Sequence, residues 1–418
     1  MSPDRQGNTS AWQSHHIHQI RMARIGLSVV LEPRDLTGHL ILRALGPVAA
    51  WGIISGERGV TGEEHHALEL TIRECGKPLP GLGGATGARA VERWSARAAQ
   101  CDPERMWDRA QRQGLWMCLP EESDWPPGLH DLQETEPVCL WGRGERGHLA
   151  HLAQHTVAVV GSRDCSTYGR AVTFEIAGAL AARGWSILSG GAYGVDEAAH
   201  RAALAAGTSA VPTVAVMAGG VDRLYPRGNQ ELLHQVADQG LVISEAAPGT
   251  MPARFRFLDR NRLIAALATG TVVTESRWRS GAQSTAHHAA ELSRPVGAVP
   301  GSVQSATSAG CHRLIREGSA VLVTDADDVL ALIGPVDAPT LGTAGVDREN
   351  PQLAIFDGLS EADRQLADAL PVVQGATVDS LAGVAGLPTR QVLGGLRRLE
   401  RAGLAVDRGG LWVRPRQR

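Results

Sequence analysis

The sequence predicts an α/β chain: a mostly parallel sheet with helices on both faces, a small helical domain before it and a winged helix after it. Three observations lead there. Through the middle of the chain, short β-branched runs alternate with alanine-rich helical stretches. Strands that are apolar throughout belong to parallel sheets buried on both faces. Residues 21–100 place apolar side chains at helical spacing. Residues 358–418 read as three helices followed by a two-stranded ribbon, the winged-helix order.

The elements follow in turn. Residues 1–20 read as a mobile terminus, and His15, His16 and His18 within it as solvated side chains, not metal ligands. From Arg21 helical spacing runs through Ile25, Leu27 and Val30, then Ile41, Leu42 and Leu45. Turns fall at Gly38, Gly46 and Gly81-Leu-Gly-Gly-Ala-Thr-Gly87. Residues 105–155 are rich in turn formers, including Trp125-Pro-Pro-Gly128 and Trp141-Gly-Arg-Gly144, and lead into a main domain spanning 105–333. Strands are expected at Thr156–Val160, Ser186–Leu188, Thr213–Met217, Leu241–Ser244, Thr271–Thr274 and Val296–Val299. Residues 334–357 lack periodicity and read as a linker. Then come a helix at Glu361–Leu370, another at Val378–Val384 and a third opened by Pro388 and stopped by Gly403. The run 404–413 alternates about Gly409-Gly410 as a hairpin.

Composition bounds the function. A chain of 418 residues with 43% hydrophobic and 20% charged residues can bury a sizeable core. Its formal net charge of −3 rules out a polycation, so any nucleic-acid surface is local. Lys77 is the single lysine among 41 basic residues, a bias better explained by genome composition than by selection for phosphate. The six cysteines are scattered without a Cys-x-x-Cys pair and read as reduced thiols. With no basic-and-apolar leader and no apolar run of about 18 residues, a cytoplasmic protein without membrane contact is expected.

In open parallel sheets ligands bind beyond the carboxyl ends of the strands, and the distinctive motifs fall there. Gly161-Ser162-Arg163 follows the first strand. The glycine permits a tight turn, the next helix (about Tyr168 to Arg183) points N–H groups at the same place, and Arg163 offers a bidentate phosphate donor. A plain strand-to-helix turn with a surface arginine weighs equally on this motif alone. In Ser189-Gly-Gly-Ala-Tyr-Gly-Val-Asp196, Gly190, Gly191 and Gly194 would leave backbone amides exposed. Asp196 would cap the helix carrying His200 or bind a nucleotide hydroxyl. The Gly-x-Gly-x-x-Gly dinucleotide fingerprint is absent.

Between Met251 and Ser280 six arginines stand against Asp259 and Glu275. Within that run Arg254, Arg256, Arg260, Asn261 and Arg262 interleave with Phe255 and Phe257, a pattern suited to a polyanion with base stacking on Phe257 or Phe255. Ser280-Gly281 opens the helix bearing His287 and His288 and suits a phosphate at a helix amino end; the adjacent histidines suit packing and solvent, not a metal. There is no Walker loop, no Gly-x-Ser-x-Gly elbow and no His-Glu-x-x-His, so no catalytic residue, cofactor or metal is assigned.

In their order these motifs resemble the DNA-processing protein A (DprA/Smf) family. The matching residues are Val159-Val-Gly-Ser-Arg163, Ser189 to Asp196 with Ala199-His200, Leu224-Tyr-Pro226 with Asn229 and Leu232, and Arg260-Asn-Arg-Leu-Ile-Ala-Ala266. They continue with Glu275, Ser280-Gly281, Val299-Pro-Gly301, Gly310, Leu314-Ile315 and Gly318. The likeness is dense over residues 155–330 and looser at Arg21–Ser28 and Leu140–Gly144. It implies an extended Rossmann-like domain that binds single-stranded DNA in a basic pocket as a homodimer. It also implies that the protein loads the RecA recombinase onto DNA entering the cell during natural transformation. Carried over by position, Gly161, Ser162, Arg163, Gly190, Gly191, Gly194, Arg260, Asn261 and Arg262 would line that pocket. The chain departs from the family at Leu258-Asp259, at Ala266-Leu-Ala268 and at His312. Asp259 would place a negative charge among the pocket arginines.

Two other readings compete. Rossmann-like phosphoribohydrolases that cleave nucleoside monophosphates are similar at Ser189–Asp196. They carry Pro-Gly-Gly-x-Gly-Thr-x-x-Glu where this chain has Thr274-Glu-Ser-Arg-Trp-Arg-Ser-Gly281, without the glycine cluster or the downstream glutamate. A duplex-binding regulator would use the C-terminal domain, where eight arginines from Arg390 to Arg418 face Glu400 and Asp407. Its groove-entering helix would present only Thr389, Arg390 and Gln391 before turning leucine-rich.

Overall fold

The structure, a computed structural model, describes residues 4–76, 85–153, 155–206, 209–334, 360–371 and 375–415. The chain divides into two compact units, Met1–Gly334 and Pro335–Arg418.

The first unit opens with α1 (Asp4–Val30), α2 (Leu36–Ile54), α3 (Gly62–Cys75), α4 (Ala85–Ala98) and α5 (Pro103–Arg112). The stretch expected to be mobile is therefore helical from Asp4, and the histidines sit exposed on α1, with His18 beside Glu104 at 2.9 Å. Leu27, Val30, Ile41, Ala50, Ile54, Leu68 and Trp94 gather the first four helices into one apolar cluster. Asp35 caps α2 from Gly38 and also accepts the Trp94 indole N–H at 2.6 Å, tying the α1–α2 connection to α4. By length and composition α2 could cross a membrane, contrary to the expectation of no such apolar run. It is broken at Gly46 (φ 77°) before Pro47, and its buried Ile41, Ala50 and Ile54 belong to the helical cluster.

The sheet has nine strands in the order β1-β2-β6-β5-β4-β3-β7-β8-β9. They are β1 (Trp116–Cys118), β2 (Leu140–Gly144), β3 (Thr156–Gly161), β4 (Ser186–Ser189), β5 (Thr213–Val216), β6 (Leu241–Ser244), β7 (Gly270–Glu275), β8 (Val296–Ala298) and β9 (Val321–Leu322). From β6 to β9 all pairings are parallel, whereas β2 runs antiparallel to β6 and β1 antiparallel to β2. All six strands expected from the apolar runs are present. The two antiparallel strands come from the turn-rich segment: β2 is the Leu140–Gly144 run that resembles the family's pre-sheet strand, whereas β1, three residues long, gave no pattern of its own.

Strand β3 shows why both faces are apolar. Val157 and Val159 pack with Ile176 and Leu180 of α6 (Thr167–Ala182), Ala199 of α7 (Val195–Ala206) and Val329 of α12 (Ala326–Ile333). Ala158 and Val160 face the other way, onto Leu263 and Ile264 of α9 (Arg254–Leu267) and Ala286 and Ala289 of α10 (Gly281–Glu291). Helices α8 (Gln230–Gln239) and α11 (Ala309–Arg316) complete the layers. The chain steps outward from β3 to β6, then returns to the other side of β3 as β7. The carboxyl ends of β3 and β7 thus meet at the point where strand order reverses, the position at which such sheets open a crevice.

The second unit has its own core of Leu366, Leu381, Val392, Leu396, Leu399 and Trp412. Its helices are α13 (Glu361–Ala369), α14 (Val378–Ala385) and α15 (Thr389–Arg401), followed by antiparallel β10 (Val406–Asp407) and β11 (Trp412–Val413). Gly409 and Gly410 both have positive φ (69° and 90°), the backbone that a tight hairpin demands. The expected linker lies outside the described residues from 335 onward.

Candidate nucleic-acid interface

At the carboxyl edge of β3, β4 and β7 a groove of about 830 Å³ opens. One wall is the β3–α6 loop with Gly161, Ser162, Arg163 and Asp164. A second is α9, with Arg254, Phe257, Leu258 and Asn261. A third is the β7–α10 loop and the amino end of α10, with Arg277, Arg279, Ser280 and Gly281. Asp196 and Arg260 form the floor, and Tyr225 stands at the rim.

The aromatic and cationic groups are stacked. The Arg163 guanidinium carbon lies 4.7 Å from the centroid of the Phe257 ring, and Phe257 meets Tyr225 with centroids 5.9 Å apart. Arg163, Arg254 and Arg279 are all exposed. Arg254 and Arg279 have no hydrogen-bond or ion-pair partner among the described residues. Arg277 is held by Asp164 at 2.7 Å, and Asp164 also accepts the Ser162 hydroxyl at 2.6 Å. The Arg277 guanidinium, followed by Ser162, holds the Asp164 carboxyl down at about 2. Ser280 caps α10, and Asn261 donates to the Gly281 carbonyl at 3.1 Å, pinning α9 to the third wall.

Arg260 is a floor residue, not a free phosphate clamp. It is buried and donates to the carbonyls of Gly190 (2.9 Å) and Val216. Burial lowers its pKa to about 10, against the pull of Asp196. It remains charged at neutral pH and fixes the floor where β4 and β5 end. Burial pushes the Asp196 carboxyl up, opposed by Arg260, and Asp196 accepts from the Ala192 amide at 3.3 Å.

Several expected ligand groups are occupied elsewhere. Gly190, Gly191 and Gly194 are buried instead of exposing their amides. A Cβ on Gly190 would sit 2.5 Å from the Arg260 guanidinium, and one on Gly194 would sit 2.4 Å from the Ser162 carbonyl oxygen. Gly190 and Gly194 give the room in which Arg260 and the β3–α6 loop pack against them. Arg256 pairs with Glu32 at 2.7 Å and Arg262 with Glu245 at 2.6 Å, so both leave the groove. Asp259 turns away to Arg34 and does not sit among the groove arginines.

The amino end of α6 is also taken. The β3–β7 register shifts between Val160 and Gly161, and beyond that shift Glu275 lies under α6. Its carboxylate accepts the Ser166 amide (2.7 Å), the Ser166 hydroxyl (2.7 Å) and the Thr307 hydroxyl (2.6 Å). A side-chain anion therefore fills the place expected for phosphate, and α10 supplies the helix amino end that faces the groove. Tyr225, Arg277 and Arg279 line the groove, although the sequence reading did not assign them to the site. Their signal was present, in two arginines of the 251–280 run and an aromatic before Pro226, but which loops converge was not. Among the described residues Cys118, Glu122 and Asp124 lie close enough to hold a cation, and Arg146 already bridges both carboxylates at 2.8 Å.

A doubly wound sheet with an arginine-rimmed crevice at its strand ends is the mark of a Rossmann-like α/β protein. Comparison with known proteins narrows this. The family model for DNA recombination-mediator protein A matches residues 116–334. The DprA homologue of Mycobacterium tuberculosis H37Rv is 41% identical over 401 residues, covering 92% of each chain. The DNA processing protein DprA of Streptococcus pneumoniae is 44% identical over 207 residues, covering 50% of this chain and 70% of that one. The X-ray structure of DprA from Streptococcus pneumoniae superposes with a TM-score of 0.58 at 31% identity, over 75% of this chain and 97% of the other. The chain belongs to the DNA-processing protein A (DprA/Smf) family.

Proposed function

We propose that this chain binds single-stranded DNA in the groove and acts as a recombination mediator, without catalysis of its own. The observation that carries the reading is the Arg163–Phe257–Tyr225 stack beside Arg254 and Arg279, two exposed cations without an ion-pair or hydrogen-bond partner among the described residues. A single strand offers phosphates to the guanidinium groups and unpaired bases to the exposed Tyr225 and half-buried Phe257 rings, whereas a duplex hides its base faces. Family membership supports the wider role: delivery of strands to the RecA recombinase during natural transformation, by a cytoplasmic homodimer. The element order of the second unit, three helices and a glycine-turned ribbon, supports a winged helix there.

The test is fluorescence anisotropy with a labelled oligothymidylate and a duplex of equal length across a salt series. Tighter binding of the single strand, falling as salt rises, is expected. Duplex binding of equal strength, or affinity insensitive to salt, would overturn the reading. Free base released from nucleoside monophosphates would turn it toward the hydrolase.

A further inference from the structure

Helix α9 carries two sets of side chains. Arg254, Phe257, Leu258 and Asn261 line the groove. Arg256 and Asp259 are held instead by the connection between α1 and α2. The amino end of this helix is poorly made in isolation. Ala253 provides no side-chain cap, and the first turn holds Arg254 and Arg256, cations at the positive end of the helix dipole.

Glu32 supplies the missing anion. Its carboxylate accepts from Arg256 Nε at 3.1 Å and Nη2 at 2.7 Å, while Arg256 Nη1 donates to the Met251 carbonyl at 2.6 Å. The two side chains are only 26% and 22% exposed, so solvent screens the pair less than a surface bridge. Glu32 is itself braced by Arg97 at 3.3 Å, and Arg97 also donates to the Val30 carbonyl at 3.0 Å. Glu32 is not among the residues lining the groove.

We propose that Glu32 is a positioning residue for the groove. By clamping Arg256 it keeps the first turn of α9 helical, so that Phe257 stays under Arg163 and Arg254 stays at the rim. The helical layer thereby sets the affinity of a site it does not line. This rests on the single-strand reading above.

The test uses the full chain. Oligothymidylate affinity is measured for the wild type, Glu32→Gln, Phe257→Ala and Arg279→Gln, and for Glu32→Gln combined with each of the other two. Amide exchange through residues 254–258 is followed in parallel. Losing a charge that completes a helix amino end is expected to weaken binding about fivefold. The same factor should appear in the Arg279→Gln background and shrink in the Phe257→Ala background, where only the placement of Arg254 is left to lose. Exchange at 254–258 should quicken while Tm stays near that of the wild type. No loss of affinity, or an undiminished loss in the Phe257→Ala background, overturns the positioning role. If the wild type does not bind the oligonucleotide, the single-strand reading falls on its own account. Amide exchange then decides the clamp separately, and unchanged exchange in Glu32→Gln overturns it.

Discussion

Arg163 and Phe257 lie 94 positions apart, one on a strand-to-helix loop and the other in the first turn of α9, yet the guanidinium carbon rests 4.7 Å from the ring centroid. The stack holds a charge at the groove without consuming it in an ion pair. Arg163→Ala should weaken single-strand binding about tenfold and reduce the salt slope by about one phosphate contact. Arg163→Lys should keep the slope and recover part of the affinity. Salt-dependent anisotropy measures both; an unchanged slope in the alanine variant would remove this loop from the interface.

On the proposed single-strand reading, Asp164 would compete with nucleic acid for Arg277, which it holds at 2.7 Å. Because Arg277 and Ser162 hold its carboxyl near 2, the bridge persists throughout the neutral range. Asp164→Asn should free one guanidinium, tighten single-strand binding a few-fold and steepen the salt slope by about one. Weaker binding in this variant would mean that Asp164 orients Arg277 for the ligand.

Gly194 has φ +81°, and its missing Cβ leaves room for the Ser162 and Arg163 carbonyls. Gly194→Ala should cost about 1–3 kcal/mol of stability through backbone strain and clash. It should also weaken binding by displacing the Arg163 loop. Thermal unfolding together with anisotropy would show whether both change; a stable variant with normal affinity contradicts the packing account.

Glu275 is expected to act on stability, since its carboxylate is taken up within the protein. Its carboxylate serves the amino end of α6 and restrains Thr307. Glu275→Gln should lower stability by about 1–3 kcal/mol while leaving intrinsic single-strand affinity close to normal in native protein. Denaturant unfolding gives the first quantity, and a large affinity loss with intact stability would place Glu275 in the binding site.

Two buried histidines give the pH dependence. Burial, followed by Arg260, lowers His200 from 6.5 to about 3, and burial, followed by Arg262, lowers His39 to about 4. Between those values and 6.5 the unfolded chain binds protons that the folded chain refuses, so this contribution to stability is lost as pH falls through that window. Tm should decline from about pH 6.5 downward. His200 bonds the Thr213 hydroxyl at 2.7 Å through Nδ1, a contact that asparagine can imitate without titrating. His200→Asn should flatten the decline, and an identical Tm–pH curve would refute the assignment.

The sheet was legible because its strands announce themselves: Thr156–Val160 and Thr271–Thr274 are apolar on both faces, which only a double-covered parallel sheet satisfies. The groove loops were legible as glycine and arginine clusters at strand ends. What each cluster does was not. Arg254, Arg256, Arg260 and Arg262 look equivalent in the sequence, yet in the fold one is exposed in the groove, one grips Glu32, one is buried as floor and one pairs with Glu245. Helical spacing explains why: successive residues on α9 point to different faces, and the acids that claim them come from distant segments.

Local chemistry settles much of this protein before it folds: the alternation of strand and helix, the turns, the glycine hairpin and the run of positive charge are short-range properties of neighbouring residues. Partnership is a different matter. Whether Glu275 or a phosphate occupies the amino end of α6, and which arginines remain free, depends on contacts between residues such as Glu275 and Ser166, 109 positions apart. Only the folded arrangement brings such groups within hydrogen-bond reach, and charges are satisfied by whichever counter-charge that arrangement delivers.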